Sequence, residues 1–258
     1  MTKTRIEPKD VRLDVGGTGI HFLDWGTDGK PPFVLLHGFS SQAHYWDALS
    51  VRVREERHVY AIDQRGHGES DWATDYGPES MPNDLLAVVD HLGLDTFALL
   101  GHSMGGGVAM RFAAQHPERV ERLIIVDIGL PAANRPISRD NSVTRALAKD
   151  TFDNEAALMD HYQQLAPALD IERVRKAIMY NFRTLDDGRV TYRFDPDLRN
   201  RLLSPEGIEA NRIAAEELRA RIHKVTCPTL VIRGELSDIL LPDAAKATAA
   251  AFPNGNLV

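Results

Sequence analysis

The first half of the chain alternates short apolar runs with segments in which apolar positions recur at helical spacing. The apolar runs predict strands over residues 11–15, 20–25, 33–36, 59–62, 97–100 and 123–126. The periodic segments between them predict helices over residues 45–54, 82–92 and 104–116. This alternation predicts an α/β fold with a mostly parallel sheet and helices on both faces. The short Gly-Gly-Thr-Gly turn after the first strand predicts that the first two strands form an antiparallel hairpin.

The pattern changes after Asp127. Residues 131–222 predict charged amphipathic helices with no strong strand, although Tyr192 and Phe194 alternate in one short stretch that favours extended backbone. CPTLVIRGE then returns to a strand pattern, LPDAAKATAAAF predicts a helix, and NGNLV begins another strand. Since the chain returns to the same sheet, we predict a core of residues 1–130 and 223–258 with a helical cap inserted over residues 131–222.

Composition and charge narrow the class of protein. Apolar residues make up 43% and charged residues 26%, an ordinary globular balance. The net charge is −7 without a basic run, so we expect no nucleic-acid partner. The single cysteine, Cys227, excludes an intramolecular disulfide and a multi-cysteine metal site. No signal-peptide core or membrane-length apolar run is present, so we expect a soluble cytoplasmic protein without membrane attachment.

The most informative stretch is LLGHSMGGG, residues 99–107. It places Gly-x-Ser-x-Gly between an apolar strand and a helix rich in small residues, the setting that distinguishes a nucleophile elbow from an ordinary glycine-rich turn. Such a turn exposes the serine hydroxyl and directs the amides of the following helix at developing negative charge. We therefore predict that Ser103 is a nucleophile, and a serine nucleophile needs a base to remove its proton.

Taken with its neighbours, this stretch resembles the α/β-hydrolase fold family. The resemblance rests on LLHGFSSQAHYW, AIDQRGHGESD, LLGHSMGGG, RLIIVDIG and CPTLVIRGELSDILLP, in the family's order, and covers nearly all of the chain outside the insertion. It implies that the backbone N–H groups of Phe39 and Met104 bind the oxyanion. We expect His37 to be structural and the aromatic residues near it to line the site or the core. We also expect Asp63, Arg65 and His67 to brace one another.

The same resemblance implies a triad in the order nucleophile, acid, histidine. Asp238 lies in the loop where the family keeps its acid, and its role would be to fix the tautomer of the histidine. Asp127, at the end of the preceding strand, is the competing candidate, and Glu235 is a third, weaker one. A serine nucleophile argues against a dehalogenase or epoxide hydrolase, which carry aspartate there.

The histidine is expected after one more strand, but NGNLV only begins that strand before Val258. All ten histidines lie upstream of it. We therefore expect a truncated fragment, with ~20–30 further residues carrying the catalytic histidine beyond Val258. A natural pseudo-enzyme, or a base supplied by the cap with His161 as the first candidate, stays open.

These inferences predict a capped serine hydrolase that acts by acyl transfer on a small ester or lactone, with no metal and no cofactor. Three alternatives stay open: a carbon–carbon bond hydrolase, a cofactor-free perhydrolase, and a non-catalytic ligand-binding protein on the same fold. The sequence determines neither the exact substrate nor the oligomeric state.

Overall fold

A twisted eight-stranded sheet lies at the centre of the fold. The computed structural model describes residues 6–130, 149–165 and 170–258. In chain order the strands are β1 (Lys9–Val15), β2 (Thr18–Asp24), β3 (Pro32–Leu36), β4 (His58–Ile62), β5 (Phe97–His102), β6 (Val120–Val126), β7 (Thr151–Phe152), β8 (Phe182–Thr184), β9 (Val190–Tyr192), β10 (Thr229–Ile232) and β11 (Gly255–Leu257). The large sheet has the order β1-β2-β4-β3-β5-β6-β10-β11.

The strand directions confirm the predicted mostly parallel sheet. Strands β3, β4, β5, β6, β10 and β11 pair in parallel. The hairpin β1–β2 is antiparallel, as its glycine-rich turn predicts, and β2 joins β4 in antiparallel register. Every strand predicted before Asp127 and after Cys227 is present, with ends that differ from the prediction by a few residues.

Helices cover both faces of this sheet. In chain order they are α1 (Asp47–Val53), α2 (Ser80–His91), α3 (Met104–Gln115), α4 (Glu155–Leu165), α5 (Ile171–Asn181), α6 (Pro196–Leu203), α7 (Pro205–Arg221) and α8 (Pro242–Ala251). The helix predicted over residues 45–54 begins instead with a 3₁₀ turn, Ala43–Trp46, which leads into α1. No helix in the described ranges has the length and apolar character needed to cross a membrane.

Apolar side chains of the strands form two cores, one on each face of the sheet. In β3, Val34 and Leu36 pack with α2, α3 and α7, whereas Phe33 and Leu35 pack on the opposite face beside Trp46. Side chains alternate between the two faces of a strand, so a strand covered on both sides needs apolar residues at every position. This explains why the parallel strands appear in the sequence as continuous apolar runs.

The predicted cap contains a small sheet that the sequence did not indicate. Strands β7, β9 and β8 pair antiparallel in that order. The expectation of an insertion without a strong strand is therefore wrong, because strands of two or three residues are too short to give an alternating pattern. The extended stretch expected around Tyr192 is present as β9. Residues 131–148 and 166–169 of the predicted cap lie outside the described residues.

The cap sheet and helices α4 and α5 share a separate apolar cluster. Its buried members are Phe152, Leu158, Val174, Ile178, Phe182, Val190, Tyr192 and Phe194. Phe39 of the main domain packs against this cluster. Leu218 of α7, in contrast, lies in the large core beside α3. The division of the chain into core and cap at residues 131–222 stays a prediction.

The strand order predicts a crevice at the carboxyl ends of the central strands of the large sheet. The chain passes from β3 to its neighbour β4, then crosses back over β3 to β5 on the other side. The winding direction therefore reverses between β3 and β5. Ligands of open α/β sheets bind outside the carboxyl ends of the strands at such a reversal. Residues 37–39 follow the carboxyl end of β3, and Ser103 follows that of β5.

Candidate active site

Ser103 occupies the sharp turn between β5 and α3. Its backbone has φ 48° and ψ −116°, a conformation that residues other than glycine rarely adopt. The turn is held on both sides, because the Ser103 N–H donates to the Val126 carbonyl at 2.8 Å and the Gly107 N–H donates to the Ser103 carbonyl at 3.1 Å. The sharp strand-to-helix turn expected from the sequence is therefore present.

Helix α3 approaches the loop after β3 so closely that Gly105 has no room for a side chain. A Cβ atom at Gly105 would lie 2.5 Å from the His37 carbonyl oxygen and 2.7 Å from that of Leu36. The Gly105 N–H also donates to the His37 carbonyl at 3.2 Å. The last glycine of Gly-x-Ser-x-Gly is thus required by a backbone-to-backbone contact.

The loop after β3 lies directly against the serine. A Cβ placed on Gly38 would be 3.3 Å from the Cβ of Ser103 and 2.7 Å from Nδ1 of His102. Phe39 follows immediately and is partly buried against the cap cluster. The structure therefore brings together the serine and the loop that the sequence pairs with it.

His37 holds this loop in place. The fully buried imidazole bonds through Nδ1 to the Gly38 carbonyl at 2.8 Å, and its Nε2 accepts the backbone N–H of Gln64 at 3.0 Å. The Gln64 amide also donates to the His37 carbonyl at 2.7 Å. Burial lowers the pKa of His37, so it is neutral at pH 7. These contacts confirm the structural role expected for His37.

The loop after β4 corrects one expectation. His67 bonds to the Arg65 carbonyl, but the side chains of Asp63 and Arg65 bind other parts of the protein rather than each other. The Asp63 carboxylate accepts hydrogen bonds from His21 Nδ1 at 2.8 Å and from the Ala43 N–H at 2.6 Å. Arg65 instead turns to α2 and binds both carboxylate oxygens of Asp84. Asp63 faces β2 while Arg65 faces α2, so each residue fixes a different neighbour.

His67 comes from the same loop and is also fully buried. Its Nδ1 lies 3.2 Å from the Arg65 carbonyl. Burial, with the adjacent His37 as a secondary cause, lowers the pKa of His67 to about 3. The ring is neutral and packs edge-on against Phe39 with centroids 5.6 Å apart.

Asp127 ends β6 next to the serine turn. Its backbone has φ 55°, and its N–H donates to the Ile232 carbonyl at 2.8 Å. Among the described residues, its buried Oδ1 atom has no hydrogen-bond partner. Burial lowers the pKa of His102, and the nearby negative charge of Asp127 opposes that shift. A strained backbone and an unpartnered carboxylate oxygen mark Asp127 as a candidate functional group.

The sequence alone gave no reason to distinguish Tyr45 from its aromatic neighbours. Trp46 is buried in the core, whereas Tyr45 is 52% exposed and stacks on His102 with centroids 5.3 Å apart. The partial burial of the Tyr45 side chain, and then the charge of Asp127, raises the pKa of Tyr45. Tyr45 therefore borders the site beside the residue that precedes Ser103.

Asp238 lies in the exposed loop after β10, at the same edge of the sheet as Ser103. Arg233 shapes this loop by donating hydrogen bonds to the carbonyls of Leu240 at 2.7 Å, Glu235 at 3.0 Å and Ser237 at 3.2 Å. Glu235 is exposed. The carboxyl ends of β5, β6 and β10 thus present Ser103, Asp127 and Asp238 in turn.

The described residues include no group of three or more His, Cys, Asp or Glu side chains that could hold a metal ion. The chemistry that this edge of the sheet offers is that of a hydroxyl, carboxylates and backbone amides. A hydroxyl at a strained turn beside a helix N-terminus is suited to nucleophilic attack with stabilisation of an oxyanion.

Comparisons with known proteins agree with this geometry. The sequence model of the α/β hydrolase fold matches residues 31–258. An esterase of Mycobacterium tuberculosis, Rv0045c, is 32% identical over 194 residues, which cover 73% of this chain and 63% of that protein. The chain thus spans less than two thirds of that relative's length.

Solved structures give the same picture. A structure of the M. tuberculosis esterase Rv0045c superposes with a TM-score of 0.72 at 26% identity, covering 98% of this chain and 84% of that chain. The thioesterase domain from a curacin biosynthetic pathway superposes with a TM-score of 0.78 over 97% of this chain and 92% of its own, at 21% identity. The second likeness concerns the fold alone.

Proposed function

Because this chain belongs to the α/β-hydrolase fold family, we propose that it is a serine hydrolase that cleaves a small carboxylic ester or lactone by acyl transfer. The observation that carries the proposal is Ser103, held at φ 48° in the turn between strand and helix, with Gly38 packed against it. Similarity to an esterase supports the substrate class.

In the proposed reaction the Ser103 hydroxyl gives its proton to a histidine, and its oxygen attacks the ester carbonyl carbon. The carbonyl oxygen becomes an oxyanion, and collapse of this intermediate expels the alcohol, which takes the proton from the histidine. Water then attacks the carbonyl carbon of the acyl-serine and loses a proton to the histidine. Collapse of this second intermediate breaks the bond to the Ser103 oxygen, which takes the proton back from the histidine as the carboxylic acid leaves. Atoms and charge balance without a further reactant.

We assign the oxyanion-binding amides to Phe39 and Met104. Met104 is the first residue of α3, and the first N–H groups of a helix lack partners within the helix. In the described part of the chain, neither backbone N–H has a hydrogen-bond partner. Each such donor contributes on the order of 3–4 kcal/mol to transition-state stabilisation.

We assign the triad acid to Asp238 and keep Asp127 as the alternative. Asp238 follows the strand next to β6 and lies in a loop that Arg233 braces. Asp127 has the unpartnered buried oxygen, which a histidine N–H would satisfy. The two assignments differ in a testable way, because only the true partner fixes the histidine tautomer.

We propose that the histidine of the triad lies in a segment that follows Val258. In the described residues no histidine nitrogen is hydrogen-bonded to the Ser103 hydroxyl. His37 and His67 are bonded within their own loops. Burial lowers the pKa of both and also that of His102, the last residue of β5. His161 packs against Phe152 and Tyr162 inside the cap. Strand β11 runs parallel to β10, so a loop that follows it emerges at the edge that holds Ser103.

We further propose that residues 131–222 cap the substrate site, with Phe39 as one of the residues at which cap and core meet. Two activities are alternatives on the same groups: hydrolysis of a carbon–carbon bond and perhydrolysis. A ligand-binding protein without turnover is the third. The observation that supports this third alternative is that, among the described residues, no histidine is hydrogen-bonded to the Ser103 hydroxyl.

A fluorophosphonate probe tests the proposal on the protein that contains the native sequence after Val258. We expect covalent labelling at Ser103 and hydrolysis of p-nitrophenyl esters, both lost in Ser103→Ala, with a fall in kcat of about 10⁶. Ser40→Ala is the matched control, since Ser40 also has a positive φ, of 58°, and lies two residues from Gly38. Labelling that persists in Ser103→Ala would refute the nucleophile, and residues 1–258 with full activity would refute the placement of the histidine.

A further inference from the structure

We infer that Phe194 of the cap is a positioning residue that holds the oxyanion-binding loop in its active conformation through the ring of Phe39. The inference rests on the proposed function, since it concerns the amide that the proposal assigns to Phe39. It adds a role for a residue far along the chain that contacts no reacting atom.

The rings of Phe194 and Phe39 are in direct contact. Their centroids are 4.9 Å apart at an interplanar angle of 51°. Phe194 is only 5% exposed, although it belongs to the cap cluster and Phe39 to the loop after β3. This pair is therefore a buried aromatic contact between the inserted segment and the loop beside Ser103.

Phe39 is held from two sides. His67 packs edge-on against the Phe39 ring at 5.6 Å, and the His67 and Phe194 centroids are 6.0 Å apart. His67 is itself fully buried and bonded to its own loop. These two neighbours restrict the positions that the Phe39 ring can take. Because a side chain's rotamer and its backbone angles are coupled, they also restrict the direction of the Phe39 N–H.

The position of Phe194 is fixed because hydrogen bonds hold the residues on either side of it. The Asp195 N–H donates to the Gly66 carbonyl at 2.8 Å, and its carboxylate accepts the Tyr76 hydroxyl at 2.5 Å. On the other side, Arg193 donates to the Phe182 carbonyl at 2.8 Å. Residues 193–195 are thus bonded both to the loop after β4 and to the cap sheet.

Arg193 adds a third attachment. Its guanidinium pairs with Glu69 at 3.0 Å, and the Trp72 indole donates to its carbonyl at 3.3 Å. These contacts are exposed, so each alone contributes little. Their combined effect is geometric, since they fix the register between the cap segment and the loop that carries His67.

Packing of the cap against the core therefore also aligns the oxyanion-binding loop. If the Phe194 ring is cut back, Phe39 gains space on the cap side, and its amide is no longer confined. A displacement of about 1 Å at a catalytic group costs about 10²-fold in rate. We therefore expect Phe194→Leu to lower kcat about 10- to 100-fold with little change in KM, the signature of an interaction made in the transition state.

Phe182→Leu is the matched control. Phe182 is a phenylalanine of the same cap cluster, 3% exposed, whose ring contacts are with Tyr192, Tyr162 and Phe152 rather than with Phe39. Both variants remove the same atoms from the same cluster, so both should lower the thermal midpoint by a similar amount. Only Phe194→Leu should lower kcat.

Three measurements on p-nitrophenyl butyrate separate positioning from general loss of packing. The first compares kcat and KM of the two variants with the wild type. The second is a double-mutant cycle with Phe39→Leu, in which the kcat losses should be strongly non-additive because Phe194 acts through Phe39. The third is the inhibition constant of a trifluoromethyl ketone, which forms an oxyanion on Ser103 and should weaken by the same factor as kcat/KM.

Equal kcat in Phe194→Leu and Phe182→Leu, or additive effects in the cycle, would overturn the inference while Ser103 still accounts for activity. A Ser103→Ala variant that remains active would instead overturn the proposed function, and the inference with it. If Phe194→Leu does not fold, Phe194→Met replaces the ring with a flexible chain that can fill irregular space in the cluster. A wild-type kcat in that variant would also overturn the inference.

Discussion

The close approach of α3 to the loop after β3 predicts opposite effects for two glycine-to-alanine changes in one helix. Gly105 and Gly107 are both in the first turn of α3. A Cβ at Gly105 would meet two backbone oxygens, at 2.5 Å and 2.7 Å, whereas a Cβ at Gly107 would meet nothing within 4 Å. The added methyl group therefore clashes with backbone at Gly105 and has space at Gly107.

The magnitudes follow from these distances. An ordinary contact for a Cβ begins near 3.4 Å, so Gly105→Ala requires a shift of several tenths of an ångström or more in α3 or in the loop after β3. Overpacking of this kind costs about 1–3 kcal/mol. Gly107→Ala removes the conformational entropy of glycine within a helix and should stabilise by about 0.5–1 kcal/mol. The difference between the variants should therefore be about 1.5–4 kcal/mol.

Urea unfolding of both variants at pH 7 measures this difference directly. We also expect Gly105→Ala to lower kcat about 10²-fold, because the shift separates the Ser103 turn from Gly38 and the Phe39 amide, while Gly107→Ala keeps wild-type kcat. Equal midpoints for the two variants, or a Gly105→Ala protein with unchanged stability and kcat, would show that the elbow is not packed as described.

Three further predictions concern the groups around the sheet edge. Asp238→Asn should lower kcat about 10⁴-fold and Asp127→Asn much less; the reverse order in p-nitrophenyl ester assays would move the acid to Asp127. Ser103→Gly should stabilise the fold by about 1 kcal/mol by relieving the strained backbone. Ser103→Ala keeps a Cβ at φ 48° and should not stabilise it, so a higher urea midpoint for the alanine variant would contradict this prediction. Burial disfavours charge on His21, but the hydrogen bond to Asp63 and the charges of Asp63 and Asp10 raise the pKa of His21 above 6.5. The charged His21 therefore stabilises the fold fully below pH 6.5, and this stabilisation is lost as the pH rises through the raised pKa. His21→Gln should flatten this decline in urea midpoints measured above pH 6.5; an unchanged slope would assign it to another group.

The large sheet could be predicted from the sequence because its signals are local. A buried parallel strand needs apolar residues at consecutive positions, and β3 to β6 all have them. The turn at Ser103 could also be predicted, since few residues other than glycine tolerate the approach of α3 to the loop after β3. Each of these signals depends on residues within one or two elements.

The remaining features depend on contacts between distant segments. Asp63 binds His21, which precedes it by 42 positions, and no local pattern indicates that pair. Strands β7 to β9 are too short to show a period, so only their pairing reveals them. For Tyr192 and Phe194 the sequence predicts only a short extended stretch and does not indicate what their rings contact. In the structure Phe194 packs the cap and touches Phe39, because residues 193–195 are tied to the loop after β4.

Backbone strain locates the site independently of any sequence pattern. In the described part of the chain, the residues other than glycine with positive φ are Thr27, Ser40, Ser103 and Asp127. Three of them follow the carboxyl ends of the adjacent strands β3, β5 and β6. Such conformations cost about 1–3 kcal/mol each and persist only where the surroundings impose them. The Ser103 turn is imposed by the bond to Val126 and the approach of α3, and Asp127 by the bond to Ile232. Strain concentrated at the reversal of strand order is expected where a hydroxyl and a carboxylate are held ready for a substrate, and it would serve no purpose in a purely structural edge of the sheet.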